Sequence, residues 1–146
     1  MTRISDILKK KGSQVFQISP DATVYEAIAA MVEHGVGSLL VTHDGAIEGI
    51  VTERDYLAKV ALQGRASRTT KVREIMSANP ICVDPEQDVA EAMAVMSEAR
   101  IRHLPLMKDG KLAGMISIGD CVKQISHDRK AHIRTLTEYI SDRYPG

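Results

Sequence analysis

One stretch of this chain is written twice. Displaced by 65 positions, residues 18–57 lie over residues 83–122 without a gap, and 12 of the 40 positions are identical. The matches include Pro20/Pro85, Val24/Val89, Glu26/Glu91, Ala27/Ala92, Met31/Met96, Leu39/Leu104, Asp44/Asp109, Gly45/Gly110, Gly49/Gly114 and Asp55/Asp120. Such self-similarity means that one small structural unit is used in duplicate. A unit of this length buries its apolar surface poorly when alone, so the two copies are expected to pack on each other.

Each copy carries the same local signals. A short apolar strand (Val15–Ile18; Ile81–Val83) runs into Pro20 or Pro85. A helix follows, with Val24, Ala27, Ile28, Met31 and Val32 at helical spacing in copy one and Val89, Ala92, Met93 and Met96 in copy two. Thr23-x-x-Glu26 reads as a capping box at its start, and Asp88-x-x-Glu91 as its counterpart. Two β-rich runs come next, Ser38–Thr42 with Ile47–Val51 and His103–Met107 with Leu112–Ile116. They are joined by Asp44-Gly45 and Asp109-Gly110, pairs that suit a two-residue hairpin. A second helix opens at Thr52 or Ser117.

The predicted class is α/β (α+β), two tandem β-α-β-β-α repeats packed as one pseudo-two-fold module with a C-terminal helix. The expected boundaries are 1–63 for repeat one, 64–71 for a polar linker, 72–125 for repeat two and 126–146 for a C-terminal helical extension. Short helical lead-ins, Ile4–Leu8 and Val72–Met76, precede the copies. The last helix is expected to run from Ile118 to about Ser141 and to serve as a docking or dimer helix.

Several function classes are disfavoured. Nineteen basic residues balance nineteen acidic ones, so no net field draws the chain to nucleic acid or anionic lipid. Aromatics make up 3% (Phe16, Tyr25, Tyr56, Tyr139, Tyr144), too few for a base-stacking platform. No apolar run approaches the length of a membrane span, and the N-terminal stretch is not patterned as a secretory signal. A cytoplasmic location is the expectation. Cys82 and Cys121 lie in no CxxC pair, and the five histidines lack ligand spacing. Neither a Walker loop nor a GxGxxG is present. No catalytic and no metal-binding residues are assigned, and the chain is read as a non-enzyme.

The order of these elements, the Asp-Gly hairpin, the Gly-x-[Ile/Met]-[Val/Ile]-[Thr/Ser]-x-x-Asp endings and the lead-in Val72-Arg-Glu-Ile-Met76 together resemble tandem cystathionine-β-synthase (CBS) domains. Arg102-His-Leu-Pro105 strengthens the resemblance, which covers residues 4 to about 125. It implies paired repeats with two clefts and homodimerisation. It also implies binding of an adenosine-containing ligand (AMP, ADP, ATP, NAD or S-adenosylmethionine) in a regulatory role toward an unidentified protein partner.

Thr52-Glu-Arg-Asp55 and Ser117-Ile-Gly-Asp120 are the leading site candidates. Each follows a strand and opens a helix, where unpaired backbone N–H groups and a hydroxyl favour an anion. The carboxylate of Asp55 or Asp120 accepts hydrogen bonds only and suits vicinal hydroxyls, and the resemblance assigns it the ribose. Standing alone, the same tetrapeptide is a helix cap; its occurrence at both strand ends favours a site. Gly35-Val36-Gly37-Ser38 permits close backbone approach, although Gly35 by itself reads as a helix C-cap. Copy two has Arg100, Arg102 and His103 there, candidates for phosphate contact, with Pro105 following; solvated surface charge is the alternative for Arg100. Arg54 is the best single phosphate contact in copy one, and Gly119 stands opposite it, so the clefts are expected to be unequal. The resemblance places adenine against Ile18, Ser19, Val83 and Asp84 through main-chain bonds and aliphatic packing. A constitutive dimerisation module with degenerate clefts is the alternative function, and an enzyme of unrecognised chemistry the weakest.

Overall fold

The computed structural model describes residues 2–129. These residues fold as two compact units, one formed by Gln14–Cys82 and the other by residues up to Ser13 together with those from Val83 onward. They are called here the central and the terminal unit.

In the central unit a helix α2 (Val24–His34) packs on a four-stranded sheet ordered β1-β2-β3-β4. Here β1 is Gln17–Ile18, β2 Ser38–His43, β3 Ala46–Thr52 and β4 Ser77–Ala78. Strand β1 runs parallel to β2, and the other pairs are antiparallel. Helix α3 (Glu53–Tyr56) passes into a π-helical turn over Leu57–Ala61. The terminal unit holds α1 (Ile4–Lys11), α4 (Val89–Ala99), the hairpin β5 (His103–Lys108) and β6 (Lys111–Ser117), and α5 (Ile118–Asp128). Both hairpins turn through two residues of positive φ, Asp44 (50°) with Gly45 (80°) and Asp109 (51°) with Gly110 (76°). That geometry matches the right-handed twist of the strands it joins. Both carry a register shift at equivalent places, between Val41 and Thr42 and between Leu106 and Met107.

Equivalent positions of the two copies form the two cores. Val24, Ala27, Met31, Leu39, Val41 and Val51 are buried in the central unit; Val89, Ala92, Met96, Leu104, Leu106 and Ile116 are their buried counterparts in the terminal one. Each fully buried Val, Leu, Ile or Met side chain contributes about 1.5–3 kcal/mol. The lead-ins complete these cores in exchanged fashion. Ile4 and Ile7 of α1 are buried among the copy-two residues, whereas Val72 and Ile75 are buried among those of copy one. The backbone repeats the arrangement: Ile4 N–H donates to Gln87 O (2.9 Å) and Ser5 N–H to Pro85 O (2.8 Å). Val72 N–H donates to Ala22 O (2.8 Å) and Arg73 N–H to Pro20 O (3.0 Å).

Five local expectations need correction. Val32 is 77% exposed rather than part of the α2 core face. Thr23 caps α2 through the Glu26 N–H (3.1 Å), but no return bond from the Glu26 side chain completes a box. Asp88 accepts from Ala90 N–H (2.8 Å), one residue earlier than a capping box requires. The strand over Ile81–Val83 is reduced to one bridge between Val83 and Leu106, and the Val72–Met76 lead-in is a 3-10 turn over Val72–Glu74. The C-terminal extension beyond Arg129, with its proposed docking role, lies outside the described residues.

Candidate functional site

The strand register brings the sequence candidates together in two equivalent clusters. Ser38 is paired with Thr52 across β2 and β3, and His103 with Ser117 across β5 and β6. Glu53 N–H donates to Gly37 O (3.0 Å), and Ile118 N–H donates to Arg102 O (2.9 Å). The Gly35–Ser38 and Arg100–His103 segments are thereby tied to the two Thr/Ser-x-x-Asp motifs.

Both motifs form complete, reciprocal capping boxes. Thr52 Oγ1 accepts from Asp55 N–H (3.2 Å), while Asp55 Oδ2 accepts from Thr52 N–H (2.9 Å) and from its hydroxyl (3.2 Å). Ser117 Oγ accepts from Asp120 N–H (3.1 Å), and Asp120 Oδ2 accepts from Ser117 N–H (2.8 Å). The two carboxylates are thus held in place by their own backbone and remain largely withdrawn from solvent, 13% and 21% exposed. Capping and ligand holding are compatible, since a carboxylate has about four acceptor positions.

Each carboxylate also carries a cation that sequence reasoning missed. Lys59 Nζ lies 3.1 Å from Asp55 Oδ1, one turn further along the chain, a pairing legible from its i,i+4 spacing. Lys11 Nζ donates to Asp120 Oδ2 at 2.7 Å from 109 positions away, and no local pattern announces it. Burial works to raise the Asp120 pKa, but the bonds from Lys11 and Ser117 outweigh it and hold the carboxyl below its ordinary range. Cys121, beside it, is fully buried, and burial pushes its thiol up to about 11, which makes it a packing residue and a poor nucleophile.

The remaining candidates divide. Gly35, Val36 and Gly37 line a cavity of about 380 Å³ together with Ile28, Met31, Val32, Glu53 and Tyr56. Thr52, Arg54 and Asp55 are not in its lining. Arg54, Arg100, Arg102 and Gly119 are exposed, and His103 is half-buried. Gly35 caps α2 in the left-handed conformation (φ 65°), and Arg100 does the same for α4 (φ 57°). Pro105 is buried within β5. Two of the main-chain donors expected near adenine are engaged within the chain. Val83 N–H already donates to Pro105 O (3.1 Å), and Asp84 N–H donates to Gln87 Oε1 (3.0 Å). Ser19 sits in a turn, its hydroxyl accepting from Asp21 N–H (3.1 Å), and Ile18 pairs with Val41.

Among the described residues, no group of three or more His, Cys, Asp or Glu is placed to hold a metal, and no helix is long and apolar enough to cross a membrane. The CBS domain family model matches residues 4–62 and 72–127. The chain is 43% identical over 152 aligned residues to the CBS domain-containing protein CBSX3, mitochondrial, of Arabidopsis thaliana, covering 98% of this chain and 74% of that protein. It is 32% identical to the CBS domain-containing protein YhcV of Bacillus subtilis, covering 86% of this chain and 89% of that one. The solved structure of a CBS-domain protein from Burkholderia ambifaria MC40-6 superposes with a TM-score of 0.85 at 48% identity, over 88% of this chain and 96% of the other.

Proposed function

Because the chain belongs to the CBS domain family, we propose that it is a non-catalytic regulatory module of the cytoplasm that binds an adenosine-containing nucleotide (AMP, ADP, ATP or NAD) and acts on a separate protein partner. The observation that carries the proposal is the duplicated, pre-organised carboxylate. Asp55 and Asp120 stand at equivalent strand ends, each fixed by a reciprocal capping box and each largely withdrawn from solvent. A rigid acceptor beside a helix N-terminus suits a sugar diol next to a phosphate. A CBS domain pair solved in complex with 5′-methylthioadenosine and S-adenosyl-L-methionine shares the fold with a TM-score of 0.74 at 24% identity.

The chain would act as a homodimer. Tyr25, Val32, Leu57 and Leu62 expose apolar surface in the central unit, the kind of surface a second copy covers. That surface also favours the second reading, a constitutive dimer whose clefts no longer bind. Thermal melting with each nucleotide separates the two. At a ligand concentration one hundred times Kd, one-site binding adds about 2.7 kcal/mol, which raises Tm by roughly 5–11 °C for a chain of this size. No shift with any of the four at millimolar concentration contradicts nucleotide binding.

A further inference from the structure

We propose that Lys11 is a ligand-discriminating residue of the second motif, supplying from α1 the positive charge that favours phosphate-bearing adenosine ligands over uncharged ones. This inference rests on the nucleotide-binding function proposed above.

The two motifs obtain their cations differently. In the first, both are local: Arg54 lies inside the tetrapeptide, and Lys59 follows one turn later and pairs with Asp55. The equivalent positions of the second motif are Gly119 and Gln124. Gln124 is buried, and its amide donates to Asp128 Oδ1 (2.9 Å) rather than turning toward Asp120. At the places of Arg54 and Lys59 the second motif therefore has no cation of its own; Arg100 and Arg102 of copy two are exposed on the preceding segment that is tied to Ser117 and Ile118.

Lys11 supplies that cation from α1. Its ammonium lies 2.7 Å from Asp120 Oδ2, with the lysine side chain 38% exposed. A cation at this distance offsets the charge of Asp120 toward any incoming anion. Lysine also has three donors on a flexible stem, enough to hold the carboxylate and an anion together. Gly119, the residue before Asp120, is exposed and adds no side chain of its own at the motif. The exchange of lead-ins therefore has a chemical consequence: α1 brings to Asp120 the paired cation that Lys59 gives Asp55 from within copy one.

A lysine that merely anchored α1 would affect all ligands alike. The test is calorimetric titration of AMP and of adenosine into the full chain, in an Asp55→Ala background so that the second motif is read by itself. Lys11→Met is expected to weaken AMP about tenfold while adenosine changes less than about twofold, the size of one charge-assisted hydrogen bond. Lys11→Arg is expected to keep the preference for AMP, and Lys11→Gln, neutral but polar, to repeat the loss should the methionine variant fold poorly. Equal weakening of both ligands, or an unchanged AMP-to-adenosine ratio, overturns the inference and leaves the proposed function standing. Binding of neither ligand by the wild-type chain overturns the proposed function, and the inference with it.

Discussion

Gly35 and Arg100 end equivalent helices in the same left-handed backbone conformation, φ 65° and 57°, although only one of them is a glycine. Each N–H turns back to the carbonyls of the preceding turn, Met31 and Val32 in one case and Met96 and Ser97 in the other. A side chain in this region costs about 1 kcal/mol relative to glycine.

Arg100→Gly is therefore expected to stabilise the chain by about 1 kcal/mol, and Gly35→Ala to destabilise it by a similar amount. Urea denaturation of both variants checks the pair. If the strain at Arg100 is kept for a ligand phosphate, the glycine variant will be more stable and will bind AMP more weakly. A variant that is more stable and binds equally well assigns Arg100 to solvated surface.

Gly49 and Gly114 are matched in sequence but should not tolerate substitution equally. A Cβ at Gly49 would lie 2.6 Å from the backbone oxygen of Ser77, where β3 pairs with β4. At Gly114 the nearest atom is Leu8 Cδ2, at 2.8 Å, the end of a side chain that can change rotamer. Gly49→Ala is expected to cost about 2–3 kcal/mol and Gly114→Ala about half of that. Equal losses in thermal unfolding would contradict this account of the two close approaches.

Asp120 gives a signed pH dependence. Its folded-state pKa lies below the ordinary 3.8, the bonds from Lys11 and Ser117 outweighing burial. A depressed carboxyl pKa contributes stability that is complete above the unfolded value and is lost as pH falls through the folded one. The stability difference between wild type and Asp120→Asn should accordingly shrink between about pH 5 and pH 2. A difference that stays constant across that range contradicts the assignment. Ser117→Ala removes the other half of the box and should cost about 1 kcal/mol at neutral pH.

The two thiols should react unequally. Cys82 is exposed and Cys121 is buried with its pKa pushed up to about 11. A thiol reagent at neutral pH is expected to label one cysteine per native chain and two after denaturation. Rapid labelling of Cys121 in the native chain would show that the Asp120 region opens readily.

Much of this fold is legible in the sequence because its signals are local. Asp44-Gly45 and Asp109-Gly110 leave the hairpins little choice of turn, and the Val24/Ala27/Met31 spacing places one face of α2 in the core. The motif endings at Asp55 and Asp120 are legible for the same reason, since a capping box needs only four residues. What is not legible is long-range. Nothing in Ile4–Lys11 indicates that it packs with copy two, because Ile4 and Ile7 would suit the groove of either copy equally well. The Lys11–Asp120 pair follows from that choice and was hidden with it. Val32 misleads in the opposite way: helical spacing marks it as core, but α2 is buried along a narrower stripe than the pattern implies.

The central claim is that the two pre-organised carboxylates hold an adenosine nucleotide. Calorimetric titration of AMP into wild type, Asp55→Ala, Asp120→Ala and the double variant tests it most directly. The account predicts saturable binding by wild type, loss of one class of sites or a marked weakening in each folded single variant, and no binding by the folded double variant. Undiminished AMP binding by the double variant would contradict it.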